Sequence, residues 1–392
     1  MSDDNVAAPE GAAANEPTTL GDRAKRIVNP KPAGNLQQVG VILLSSLAAV
    51  VLALAIASFI LWVSGYDAAA LFTNMWDNLH NSTKMLEMLD RATPVMIAAV
   101  AVAIGFKMNL FNIGIEGQFL IGMFFAAWVG TQFEMFGPLH VAVILVVAMA
   151  AAAAWAGIAA VLKTERNVNE VISTIMLNSL ALNVISFLFQ EYAKFKDDSG
   201  SLDVKTRPIP ESGWIPDIVD GKLSGVFYIS LLVVLGYWLL VFKSRFGYRL
   251  RASGANAGAA RTGGIASKRM IIIAMLISGA VAGLVGMAYL LGDAHAYYGT
   301  SRPEGFGFAG ISVALLGRNH PLGIVISALL FGFLDTLTGP LQIDKIPVSI
   351  IFVIKAVILL SVVIINELVE VKMARRTADR TAAQLEAAGV AA

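Results

Sequence analysis

Apolar residues run through the chain in long blocks rather than at helical period. Val39–Val63 carries no charged residue, and neither does Leu139–Leu162. Each block exceeds the ~18 residues that mark a membrane-crossing helix. A large soluble helical protein would space its apolar positions to keep one face wet. Hydropathy predicts ten apolar segments: Gly40–Val63, Ala92–Phe106, Ile115–Thr131, Leu139–Leu162, Val171–Gln190, Val226–Phe242, Met270–Leu291, Phe306–Leu316, Leu322–Leu337 and Pro347–Ile365. Ala92–Phe106 and Phe306–Leu316 fall short of the ~20 residues a straight span needs. Short segments flanked by Gly or Pro point to broken helices near the centre, where neighbouring protein satisfies the freed backbone groups. Ordinary short helices in a thin part of the fold are the alternative. The expected fold is all-α, a polytopic membrane protein of about ten transmembrane helices.

Composition agrees with that pattern. Of 392 residues, 57% are hydrophobic and 15% charged, where a soluble protein has ~45–50% and ~25%. Mean hydropathy is +0.70. The net charge of +1 gives no overall field to attract nucleic acid, so no nucleic-acid partner is expected. The chain has no cysteine, which removes disulfides, thiolate metal sites and cysteine nucleophiles. It also lacks the G-x-x-x-x-G-K-[ST] loop that would bind and hydrolyse ATP. His140, His295 and His320 stand at segment edges and His80 in an external loop, none with metal-ligand spacing. They read as interfacial residues. No catalytic residue, metal site or cofactor is expected.

Basic residues set the orientation. With the N-terminus inside, 19 of the 29 Lys and Arg fall on the cytoplasmic side and 9 outside, with Lys355 inside the last segment. An N-in, C-in arrangement follows. Residues 1–38 are polar and lack the regions of a signal peptide, so a disordered cytoplasmic tail is expected. The transmembrane domain is placed at 39–368, with an external loop at 191–225 and a cytoplasmic loop at 243–269. Residues 369–392 form a cytoplasmic C-terminal tail. The external loop, with Trp214, Pro208, Pro210 and Pro216, divides the spans into two five-helix halves of opposite orientation. That is the condition for an inverted repeat, although the halves share no convincing residue identity.

Polar residues within apolar blocks are the candidates for a translocation path. Asn109, Asn112, Glu116 and Gln118 cluster between the second and third segments. Asn112 and Glu116, four apart, share a face if the helix begins that early. Glu116 reads either as a residue of the path or as a cap on backbone N–H groups in a Gly-rich turn. Asn178 and Asn183, in the fifth segment, can hydrogen-bond a purine, a ribose or a neighbouring helix. Lys355 lies roughly 12 Å into its segment at 1.5 Å per residue. It is expected to face the interior and pair with Asp335, or else to snorkel.

The cytoplasmic loop is the most specific feature. Within Phe246–Ile265, Asn256 suits a helix N-cap, Ala257–Thr262 a short helix, and Gly263 the C′ position. The small residues Ala257, Gly258, Ala259 and Ala260 permit close approach by another protein, and Arg249, Arg251 and Arg261 add charge. A solvated basic loop that serves only topology would need neither that run nor its flanking glycines.

This loop resembles the coupling segment by which ABC importer permeases dock on their ATPase. Three further segments are similar to the permeases of bacterial nucleoside ABC importers, relatives of the ribose-type and branched-chain amino-acid permeases. They are Phe106–Gln118, Asn169–Asn178 and Gly305–Gly317, the last followed by Pro321 and Gly323. The resemblance runs from about Ala92 to Ile365. It implies a permease subunit of the bacterial cytoplasmic (inner) membrane, embedded in the lipid bilayer and moving nucleosides by alternating access. It further implies cytoplasmic ABC ATPase subunits that hydrolyse the ATP, an external substrate-binding protein, and a second homologous permease completing a heterodimer. Arg249, Arg251, Gly254, Asn256, Ala259, Ala260 and Gly263 would then serve ATPase coupling. An ABC permease for a simple sugar or branched-chain amino acid is the nearer alternative. An ATP-independent secondary transporter is the further one, and it would leave the docking loop without a purpose.

Overall fold

The computed structural model describes residues 51–52, 54–195, 204–299, 305–361, 363–364 and 371. The tail 1–38, all but one residue of 369–392 and the start of the first apolar segment lie outside them. Residues 54–359 group as one unit. It contains α1 (Leu54–Val63), α2 (Ala68–His80), α3 (Ser82–Lys107), α4 (Ile115–Gly130), α5 (Gly137–Arg166) and α6 (Glu170–Leu188), which continues as a π-turn to Ala193. A hairpin follows, β1 (Asp217–Val219) with β2 (Leu223–Ser224), paired antiparallel with Asp217 opposite Ser224. Then come α7 (Val226–Tyr237), its π-turn to Lys243, α8 (Arg245–Ala255), α9 (Ala257–Thr262) and α10 (Ser267–Ala282). After a π-helical segment at Ala288–Ala294 the chain forms α11 (Phe306–Leu316), α12 (Pro321–Thr336) and α13 (Thr338–Ile343), and it enters α14 (Ser349–Ser361). Among the described residues, five helical stretches are long and apolar enough to cross a membrane: Ser82–Lys107, Gly137–Arg166, Glu170–Ala193, Val226–Lys243 and Pro321–Ile343.

α3 is the axis of the bundle. Every residue from Ala92 to Gly105 is buried, as befits a helix that is apolar all round, and α7, α10, α11 and α12 pack around it. The short segment predicted at Ala92–Phe106 is therefore one part of a continuous 26-residue helix. Its first turns are polar and invisible to hydropathy. They are held by the Asn81 side chain, which accepts from the N–H groups of Thr83 (3.0 Å) and Lys84 (3.3 Å). Glu87 then bridges Lys84 (2.7 Å) and Arg91 (2.6 Å) at helical spacing.

Phe306–Leu316 does stand alone as an 11-residue helix, roughly 16 Å long and too short to cross a bilayer. The break that hydropathy missed lies within Met270–Leu291. There α10 stops at Ala282, the chain turns, and a π-helical segment begins at Ala288. The cause is close packing. Gly279 of α10 and Gly283 at its C-cap lie against Ala148, Ala152 and Ala156 of α5, and a Cβ on Gly283 would come within 2.3 Å of the Ala148 carbonyl oxygen. This spacing of small residues lets two backbones touch.

The segments between spans are ordered where described. α2 is capped by Asp67, which accepts from the Ala69 N–H at 2.8 Å, and its buried Asn78 donates to the carbonyl and hydroxyl of Thr336. In the loop between α6 and α7, a 3₁₀ turn at Glu211–Gly213 seats on α5. His140 is the joint, with Nδ1 2.8 Å from Ser212 Oγ and Nε2 3.0 Å from the Gly130 carbonyl. His295 stacks on Trp214 with ring centroids 3.8 Å apart, and burial pushes its imidazole below the ordinary value against an opposing pull from Asp217. Both histidines are packing residues, held where the segment 204–225 folds back over helix ends.

Candidate functional site

The loop between α7 and α10 forms two consecutive helices. Ser244 starts α8 by accepting from the Gly247 N–H at 3.0 Å. α8 ends where Asn256 turns extended, and the Asn256 side chain caps α9 by accepting from the Ala259 N–H at 2.9 Å. Gly263 closes α9 at ordinary φ, and the left-handed C′ residue is Gly264, one position later than expected (φ 78°). Ala257, Gly258, Ala259 and Arg261 are exposed, whereas Ala260 is buried. Arg249 and Asn256 are exposed too, and with Arg245, Tyr248 and Ala259 they line a groove between α8 and α9.

Three of the predicted coupling residues face inward: the buried Ala260, Arg251 and Gly254. Arg251 donates to the Val241 carbonyl and lies over the Phe242 ring. Gly254 sits on the end of α3, where a Cβ would come within 2.5 Å of the Lys107 carbonyl oxygen. Backbone therefore meets backbone between the loop and the central helix. Sequence reading missed α8 and its exposed Tyr248. The usable signal was Ser244 ahead of a polar, arginine-bearing run.

The second cluster lies beside the middle of α3. Asn109 ends α3 in the left-handed conformation (φ 59°) and is exposed. The chain then folds back, so that α4 begins at Ile115 alongside the helix it has just left. Asn112 precedes α4 and shares no helix face with Glu116, contrary to the spacing argument. It is buried and fully bonded instead. Its amide exchanges bonds with Gln118 at 3.0 and 2.9 Å, donates to Ser278 Oγ at 2.9 Å and accepts from the Gly114 N–H at 3.1 Å. Ser278 passes the connection to the Ala101 carbonyl of α3 at 2.7 Å. Asn178 of α6 accepts from the Gly117 N–H and donates to the Ile113 carbonyl, both at 2.9 Å. Such bonds between helices satisfy groups that lipid could not. Asn183 is exposed and donates to the Ser179 carbonyl of its own helix.

Glu116 caps backbone, but of a distant helix. Its carboxylate accepts from the N–H groups of Gly305 (2.6 Å) and Gly307 (2.8 Å) at the start of α11. Gly307 packs on Glu116, and Gly310, one turn on, packs on Ala98 and Ala99 of α3. The half-helix α11 therefore starts level with the middle of α3, and a carboxylate faces its positive end there. Lys355 pairs with Asp335 at 2.5 Å, as expected, and also lies over the Phe331 ring. Among the described residues no three His, Asp or Glu side chains form a metal-sized group.

A sheath of apolar helices around one buried helix, half-helices meeting beside its middle, and a capped helix pair at its basic end define a multi-pass membrane protein. The family model of branched-chain amino acid transport system permease components matches residues 84–365, and the chain belongs to that family. It is 35% identical to the guanosine ABC transporter permease protein NupP of Bacillus subtilis, over 82% of this chain and 92% of that one. It is 29% identical to the nucleoside ABC transporter permease protein NupB of Lactococcus lactis, over 80% and 88%. It is also 29% identical to the glucose ABC transporter permease protein TsgB13 of Haloferax volcanii, over 72% and 77%. No solved structure matches the chain.

Proposed function

We propose that the chain is the membrane subunit of a nucleoside ABC importer in the bacterial cytoplasmic membrane. The likeness to the guanosine permease over most of both chains carries the reading. We place ten crossings with both termini inside, in two halves, beside a second homologous permease and beneath an external binding protein. The chain binds no cofactor, and ATP is hydrolysed by the partner subunits. The exposed face of α9 is the ATPase contact, flanked by Arg249 and Arg261. Closure of the ATPases moves α8 and α9, and the backbone contact at Gly254 hands that movement to the inner end of α3.

The test is uptake by proteoliposomes holding the whole transporter. Unlabelled guanosine, uridine, ribose, glucose and leucine compete against labelled guanosine. Guanosine and uridine are expected to compete and the other three not. Uptake of glucose with none of guanosine would overturn the nucleoside assignment in favour of the sugar reading that the Haloferax relative represents.

A further inference from the structure

A cavity of about 620 Å³ opens between the Ser82 end of α3, the β1–β2 hairpin and the start of α11. Its size falls within the ~300–1,000 Å³ usual for small-molecule sites. The charge bias of the chain places its mouth outside. The floor is Gly305 and Phe306 at the N-terminus of α11, and the walls include Asp90, Pro94, Tyr289 and Asp293.

Three features of this cavity suit a neutral solute rich in hydroxyl and amine hydrogens. First, acceptors are concentrated on α3. Pro94 has no N–H, so the Asp90 carbonyl one turn earlier loses its intrahelical donor. The Asp90 carboxylate accepts from the Ser224 N–H with Oδ1 alone (3.0 Å). Second, among the described residues, the cations lining or flanking it are engaged. Arg91 is paired with Glu87 and Lys355 with Asp335, while Lys222 donates to Thr83. Among the described residues, Asp90 and Asp293 form no ion pair, and their charge is negative. Third, the floor would ordinarily be an anion site, because a helix N-terminus presents free N–H groups and positive charge. Here Glu116 already occupies it, bonded to both Gly305 and Gly307. Tyr289 and Phe306 add aromatic surface against which a planar base can lie.

We propose that this cavity is the entry site for a neutral nucleoside, with Asp90 and Asp293 accepting its hydroxyl and amine hydrogens, and that these carboxylates together with the Glu116 cap make the site reject nucleotides. The inference rests on the nucleoside reading above and adds to it a location within the permease and a charge rule.

The absence of cysteine makes a single introduced thiol a unique reporter. Ala309→Cys, on the cavity wall, is labelled with a small thiol reagent in vesicles holding the whole transporter. Phe352→Cys, also on the cavity wall and exposed, serves as a second reporter should the first fail to assemble. Guanosine is expected to slow labelling and guanosine monophosphate not to. Adding Asp90→Asn should raise the guanosine concentration for half-protection about tenfold, the loss of one charge-assisted hydrogen bond. Adding Glu116→Gln together with Asp90→Asn should let the monophosphate begin to protect, because both carboxylates oppose its phosphate. Labelling that ignores guanosine while the same vesicles take it up would overturn this proposal and leave the nucleoside reading intact. So would equal protection by both compounds without Glu116→Gln. Vesicles that import another solute but no nucleoside would overturn the nucleoside reading itself.

Discussion

At the scale of single residues, the lysine inside the last apolar segment is matched by a carboxylate of the preceding helix. Lys355 and Asp335 are both largely buried and 2.5 Å apart. Removing one partner leaves the other as an uncompensated charge, which costs more than replacing both by apolar groups. Lys355→Met is therefore expected to lower the melting temperature of the purified protein, with a loss on the order of 1–3 kcal/mol for the stranded carboxylate. The double change Lys355→Met with Asp335→Leu should recover most of it. A double variant no more stable than the single one would show that the pair matters for something other than mutual neutralisation. This pair was legible in the sequence, because a lone cation deep in an apolar segment has few candidates within reach. The Glu116 bonds were not. Their partners lie 189 and 191 positions away and are backbone N–H groups that no side-chain pattern announces.

Between elements, shape depends on where two backbones can touch. α5 and α10 meet through Ala148, Ala152 and Ala156 against Gly279 and Gly283. A Cβ on Gly279 would lie 2.8 Å from the Ala152 carbonyl oxygen, so no side chain fits without moving a helix. Gly279→Leu is expected to separate α10 from α5 and cost roughly 1–3 kcal/mol, the usual range for overpacking. Faster digestion by protease in detergent would show it, and unchanged digestion would mean the seam can open without penalty. The apolar blocks located most of these helices because lipid demands long uncharged stretches. They failed where charge or glycine overrode hydropathy. The charged first turns of α3 hid its true start, and the turn after Ala282 divided a segment that looked continuous. α2 and α8 escaped for a related reason, since neither is apolar enough to stand out and each is fixed by a cap and by packing.

For the whole molecule, the question is how an event at α8 and α9 reaches the cavity at the other end of α3. α3 runs between them. Its Lys107 end abuts Gly254, and its Ser82 end carries Asp90, which holds the hairpin at Ser224. Docking and transmission should then be separable, because the residues that serve them differ in exposure. Ala259 is exposed on α9, so Ala259→Trp is expected to leave the melting temperature of the chain unchanged and abolish co-purification of the ATPase. Gly254 is turned toward α3, so Gly254→Ala should let the ATPase bind while weakening the link between its cycle and the bundle. Reconstituted with its partners, that variant is expected to hydrolyse ATP at a rate near that of the parent and import nucleoside several-fold more slowly. If instead both rates fell together, α8 and α3 would move as one rigid piece, and the transmission step would lie on the ATPase side of α9.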